Sequence, residues 1–123
     1  MHLELDPDSP GAETIHFDDF LKVDIRVGTV LDIAEFPEAR KPSYKLKIDF
    51  GKGVGVKKSS AQITVNYNKD QILGKQVIAV VNFPPRQIGP FMSEVLVLGV
   101  MDEQNQVVLL ESSKKVPNGA RLV

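Results

Sequence analysis

Tyr44 to Phe50 is the segment that most restricts the fold, because Tyr44, Leu46, Ile48 and Phe50 alternate strictly with Lys45, Lys47 and Asp49. Side chains of a strand point to opposite faces on a period of two, so this segment needs a core on one side and water or a ligand on the other. Ile25, Val27, Thr29, Leu31 and Ile33 repeat the pattern against Arg26, Gly28, Val30 and Asp32. Gly28 in the middle of that strand is expected to mark a bulge or sharp bend, as a small curled barrel requires.

Further strands are expected from about 56 to 64, 75 to 81, 91 to 100 and 106 to 111, with the turns Gly51–Gly55, Asp102–Asn105 and Pro117–Gly119 between or after them. Asn82 to Pro90 holds three prolines and reads as a long loop. Residues 66–73 read as a turn or helical turn stopped by Gly74. Thr14 is placed to cap a short helix whose Phe17, Phe20 and Leu21 follow i, i+3, i+4 spacing. Several short strands with one or two helical turns indicate an all-β protein, best matched by the OB-fold, a five-stranded, partly open barrel. The short N-terminal helix and extra C-terminal strands are additions to it. At 123 residues the chain is expected to form one domain over 14–123, preceded by an acidic disordered tail over 1–13.

Most chemistries lack their residues. The chain has no Cys, which removes disulfides, thiol nucleophiles and thiolate metal sites, and its two imidazoles, His2 and His16, are too few for a metal site. Gly51, Gly53 and Gly55 are not followed by the Lys-Ser/Thr pair of a phosphate loop, and Ser59-Ser60 has no neighbouring base. No enzyme and no cofactor are expected. The longest apolar run, Val77 to Val81, falls far short of the ~18 residues of a membrane span. Residues 1–10 carry neither a basic nor an apolar signal region, so a cytoplasmic protein without membrane insertion is expected.

A binding surface remains, and the charge layout locates it. The net charge of −1 conceals a division. Residues 1–24 hold seven acids against Lys22 alone, whereas 40–58 hold Arg40, Lys41, Lys45, Lys47, Lys52, Lys57 and Lys58 against Asp49. Lys45 and Lys47 share a strand face, Lys57 and Lys58 lie on the next strand, and Arg86 lies in the loop between the fourth and fifth strands. In an OB-fold these elements form the oligonucleotide face. Phe83, Ile88, Phe91 and Met92 offer apolar contacts among prolines, a preformed cleft for an extended polypeptide. Phe36 flanks the same loops. Phe17, Phe20 and Leu21, with Val108 and Leu110 of the last strand, are candidates to cover a partner copy in a homodimer.

Asp24-Ile25-Arg26-Val27-Gly28-Thr29-Val30, Phe36-Pro37-Glu38-Ala39-Arg40 leading to Leu46–Gly51, and Gly74 through Arg86 occur in order, and together they resemble the tRNA-binding-domain family. Within it, Ser59–Thr64 and Ser93–Gly99 resemble an export-related chaperone branch. The resemblance spans roughly residues 18–123. It implies an OB-fold, a homodimer, no catalysis, and binding of tRNA and of unfolded or exported polypeptides. The family's RNA-facing polar positions fall on Asn82, Arg86 and Ser93, supported by Lys45, Lys47, Lys57 and Lys58. Where tRNA binders show Ser-x-Gly-Met, this chain has Ser93-Glu94-Val95-Leu96, and Gln87 stands at a frequent base. An acid and a β-branched residue there imply weak tRNA binding.

Overall fold

Strand β1, Ile25–Glu35, serves two neighbours in turn: its first half pairs with β4 (Gln76–Val80) and its second half with β2 (Tyr44–Asp49), Thr29 belonging to both ladders. The computed structural model describes residues 6–123, so the first five residues of the acidic tail lie outside the described residues. Strand β3 (Val56–Ala61) pairs with β2, and β7 (Leu96–Val97) with β4, giving a five-stranded antiparallel sheet in the order β3-β2-β1-β4-β7. Two hairpins complete it, β5 (Arg86–Ile88) with β6 (Phe91–Ser93), and β8 (Gly99–Met101) with β9 (Val107–Leu109).

The sheet curls until its ends meet. The Glu94 N–H donates to the Lys58 carbonyl (2.8 Å), the Ser60 N–H to Ser93 Oγ (3.0 Å), and the Ser59 hydroxyl to the Val95 carbonyl (3.0 Å). Inside lie Tyr44, Leu46, Ile48 and Phe50 of the alternating strand, as expected, with Val30, Ala61, Ile63, Ile72, Val77, Ala79 and Val95. Each large apolar side chain buried there contributes about 1.5–3 kcal/mol.

Strand β1 departs from the sequence reading. Its bulge is at Leu31, the extra residue between the pairs Val30–Ile48 and Asp32–Lys47, and not at Gly28. The bulge reverses the alternation, so Val30 enters the core while Leu31 is 51% exposed. Gly28 is needed for close packing: a Cβ there would come within 2.6 Å of Ile48 Cγ2 and 2.7 Å of Phe50 Cδ1.

The loop expected over 82–90 contains β5, because its prolines flank the three paired residues and leave their N–H groups free. The strand expected over 91–100 is broken into β6, β7 and β8, since residues 93–95 turn aside to close the barrel on β3. Gly51–Val54 is a single helical turn, α2, between β2 and β3.

Helix α1, Phe17–Leu21, starts at His16 and not at Thr14: the Asp19 carboxylate accepts the His16 N–H at 3.1 Å. Helix α3, Lys69–Ile72, has a reciprocal cap, Gln71 N–H to Asn68 Oδ1 and Asn68 N–H to Gln71 Oε1, and Gly74 follows at φ +82°. In the β8–β9 turn, hydrogen bonds from Asn66, Gln106 and Gln104 hold the Asp102 carboxyl below its ordinary value.

Candidate ligand-binding faces

Register decides which lysines act together. Lys45 lies opposite Ser60 and Lys47 opposite Lys58, whereas Lys57 lies opposite Ile48. Directly opposed residues share a face. Lys45, Lys47 and Lys58 are therefore brought together on the face away from the core, and Lys57 is set on the other.

Two of the three are held in place by aromatic rings. Lys45 Nζ lies 5.5 Å from the Phe36 ring centre and Lys58 Nζ 5.2 Å from that of Phe91, while the two rings meet edge to face at 5.4 Å. An exposed cation–π contact contributes about 0.5–1 kcal/mol, enough to bias where an ammonium group resides. The result is a rail, Lys45–Phe36–Phe91–Lys58, with the exposed Lys47 beside it. Among the described residues none of Lys45, Lys47, Lys57, Lys58 and Arg86 is in a salt bridge. No salt bridge among the described residues pairs these cations, and the Glu94 carboxylate, which accepts the Lys58 backbone N–H, is an acid set beside them.

The β5–β6 hairpin adjoins β3 at one edge of this face. Arg86 lies opposite Ser93 and Ile88 opposite Phe91, with Gln87 and Met92 as the pair between them. Alternation thus divides the expected apolar set: Ile88 and Phe91, both half-buried, share a face with Arg86, and Met92 is exposed on the other. Phe83 stands at the root of the hairpin, 50% exposed.

Two expected contact residues, Asn82 and Ser93, and the acid that departs from the family pattern, Glu94, have structural partners. Asn82 Oδ1 accepts the Asp24 N–H (2.9 Å) and its Nδ2 donates to the Lys22 carbonyl (2.8 Å), so its amide clamps the end of α1. Ser93 Oγ is taken up by barrel closure, and Glu94 Oε1 accepts the Lys58 N–H at 3.1 Å. Val95 fills the core, so its branched side chain does not stand on the lysine face. A further centre escaped the sequence reading. Asp24 accepts from Arg26 Nε at 2.6 Å and lies 3.4 Å from Arg121 Nε, tying β1 to the C-terminal segment. Nothing in a single sequence marks a contact across almost a hundred residues.

On the opposite count, α1 buries none of its residues within its own chain, and Phe17 is 68% exposed with its ring 6.0 Å from that of Phe20. Leu21, Val108 and Leu110 are exposed as well. Among the described residues no group of three or more His, Cys, Asp or Glu side chains is placed to hold a metal, and no helix is long and apolar enough to cross a membrane.

A nearly closed five-stranded barrel with cations on the outer face of β2 and β3 is the architecture of an OB-fold binding domain. The chain belongs to the family described as "Putative tRNA binding domain", whose model matches residues 25–121. It is similar to the chaperone CsaA of Bacillus anthracis, at 50% identity and TM-score 0.84 over 90% of this chain and 100% of that one. It is also similar to the CsaA chaperone protein of Picrophilus torridus, at 52% identity and TM-score 0.83 over 89% and 100%. The methionine–tRNA ligase of Porphyromonas gingivalis is 35% identical over 114 residues, which are 93% of this chain and 16% of the ligase. The chain thus spans about a sixth of the length of such curated relatives.

Proposed function

We propose that this protein is a non-catalytic, CsaA-like chaperone that holds unfolded or exported polypeptides and binds tRNA weakly, as a cytoplasmic homodimer. The observation that carries the reading is the Phe91 ring, at which an apolar hairpin and a cationic sheet face meet. Extended polypeptide offers apolar side chains to Ile88, Phe91 and Phe83, and RNA offers phosphates to Lys45, Lys47, Lys58 and Arg86. The likeness to two CsaA proteins at half identity supports the polypeptide role, and family membership supports the tRNA role.

The two ligands are separated by one competition experiment. Labelled unfolded polypeptide is bound and tRNA added, with the native protein, Ile88→Asp and Arg86→Glu. Ile88→Asp is expected to weaken polypeptide binding by about tenfold or more, the equivalent of ~1.4 kcal/mol of lost apolar contact, and to leave tRNA binding in place. Arg86→Glu is expected to do the reverse. If the dimeric native protein suppresses the aggregation of no unfolded client, the chaperone role is lost and a stand-alone tRNA-binding protein remains.

The homodimer reading rests on the bare apolar side of α1. Burying Phe17 and Leu21 against a second copy across a two-fold axis removes the exposure that the single chain leaves. Phe17→Asp is expected to weaken the dimer at least about 30-fold, the effect of losing one interface hot spot of ~2 kcal/mol. An unchanged sedimentation profile at micromolar dilution would exclude α1 from the interface.

A further inference from the structure

A cavity of about 360 Å³ opens where β1 gives way to β2, between the loop 36–42 and Thr64, which follows β3. That volume lies at the low end of the ~300–1,000 Å³ typical of small-ligand pockets. Both walls are fixed before any ligand arrives. The Ala39 N–H donates to the Phe36 carbonyl at 3.2 Å, closing a turn with Pro37 at its second position, and Pro42 restricts the return to β2. On the other side the Tyr67 N–H donates to the Ile63 carbonyl (3.1 Å) and the Tyr44 hydroxyl to the Tyr67 carbonyl (2.9 Å), which holds the turn that carries Thr64. A ligand finds the cavity already ordered.

The lining chemistry narrows the ligand. Phe36, Pro37, Ala39 and Pro42 supply apolar surface. Ser43, 5% exposed, gives its hydroxyl proton to the Lys41 carbonyl at 2.9 Å, so its oxygen is left as an acceptor. Arg40 is exposed and has no salt-bridge partner among the described residues, while Glu35, the acid of the lining, is turned to Lys69 at 3.8 Å. Glu38 of the same loop lies outside the lining, against the β5–β6 turn, where a Cβ on Gly89 would meet it at 3.9 Å. A guanidinium fork, an acceptor hydroxyl and apolar walls together match guanine. Its O6 and N7 accept from a guanidinium in pairs and its 2-amino group donates, whereas adenine sets its own amino donor beside N7, against the fork.

We propose that this cavity takes an unpaired guanine of bound RNA and that Arg40 is the residue that reads it. The pocket rests on the reading of the lysine face as an RNA site and adds selectivity to it. Phe36 joins the two, since it lines the cavity and Lys45 Nζ stands 5.5 Å from its ring centre. Phosphates along the lysines supply affinity without regard to sequence, and a base withdrawn from the strand supplies preference. An apolar polypeptide side chain would use the same walls but leave the guanidinium and the Ser43 oxygen unanswered.

The monophosphates of guanosine, adenosine, cytidine and uridine are titrated separately into the native protein, Arg40→Lys and Ala39→Phe, with inorganic phosphate as the control for charge alone. Guanosine monophosphate is expected to move the amide NMR shifts of Ala39, Arg40 and Thr64 and to bind at least about fivefold more tightly than the other three, while phosphate leaves those amides in place. Ala39→Phe fills the cavity and is expected to abolish the shifts with the thermal transition kept. Arg40→Lys changes only an exposed side chain, keeps the charge but not the planar fork, and is expected to remove the preference for guanine. Equal affinity for all four nucleotides, or shifts confined to Lys45, Lys47 and Lys58, overturns the pocket and leaves the lysine face standing. A guanine preference that persists in Arg40→Lys overturns the role of Arg40. Guanine-dependent shifts in a protein whose tRNA affinity ignores replacement of the three lysines by alanine uphold the pocket and overturn the face instead. Movement of the same amides by an unfolded polypeptide and by no nucleotide gives the cavity to a client and overturns the base pocket.

Discussion

Replacing Lys45, Lys47 and Lys58 together by alanine is expected to flatten the log–log salt dependence of tRNA binding by about 2–3 and to cost about 100- to 1,000-fold in affinity at ~50 mM salt. Each phosphate contact contributes ~0.7–0.9 to that slope through counterion release, and the three lysines lie on one face with no salt bridge among the described residues. Lys57→Ala is the internal control. Its register sets it on the opposite face, so its slope should equal that of the native protein. Anisotropy titrations from about 50 to 300 mM salt read both quantities over the range where the lost contacts matter most. The fold should survive the triple change, because what it removes from the chain itself is two cation–π contacts of about 0.5–1 kcal/mol each. A slope left unchanged in the triple variant, with its thermal transition intact, would remove the sheet face from the RNA site. Equal flattening by Lys57→Ala would show that net charge, and not the register of β2 and β3, governs binding.

The alternation of Tyr44 to Phe50 carried most of what could be read in advance, because a period of two in a half-buried strand has one solution. The same rule failed on β1. A single bulged residue at Leu31 exchanges inside for outside, and neither residue type there announces it. At the site, total charge was legible and its division was not. Lys57 and Lys58 are adjacent in a strand and must face opposite ways, but only pairing with β2 tells which joins Lys45 and Lys47. Prolines at 84, 85 and 90 masked the β5–β6 hairpin because they bracket its three paired residues without interrupting them. The family resemblance alone assigns Asn82 to the ligand face, and its clamp on Lys22 and Asp24 was not legible because those groups are about sixty positions away.

Gly28→Val is expected to be among the most damaging single changes in the chain, lowering stability by more than about 3 kcal/mol and the melting temperature by ~10–15 °C. A Cβ at this position would meet Ile48 Cγ2 at 2.6 Å, Phe50 Cδ1 at 2.7 Å and Phe50 Cε1 at 2.9 Å, closer than such atoms pack. Ile48 and Phe50 are almost wholly enclosed, so neither can swing away into solvent. Relief must come from moving β2 away from β1, against a ladder that continues from Thr29 to Glu35. Gly28→Ala should cost less, since it adds the clashing atom without the two further methyl groups. Combining it with Ile48→Ala should cost less than the two changes summed, because the second removes the nearest obstructing methyl. The effect reaches the ligand face through the same strand. Ile48 is next in sequence to Lys47, and displacing β2 shifts Lys45 and Lys47 against Lys58 on β3. A Gly28→Ala protein that remains folded is therefore expected to show a weakened tRNA salt slope without the loss of any charge. If instead it melts like the native protein and binds tRNA with the native slope, close packing at Gly28 sets neither the curl of the barrel nor the spacing of its cations.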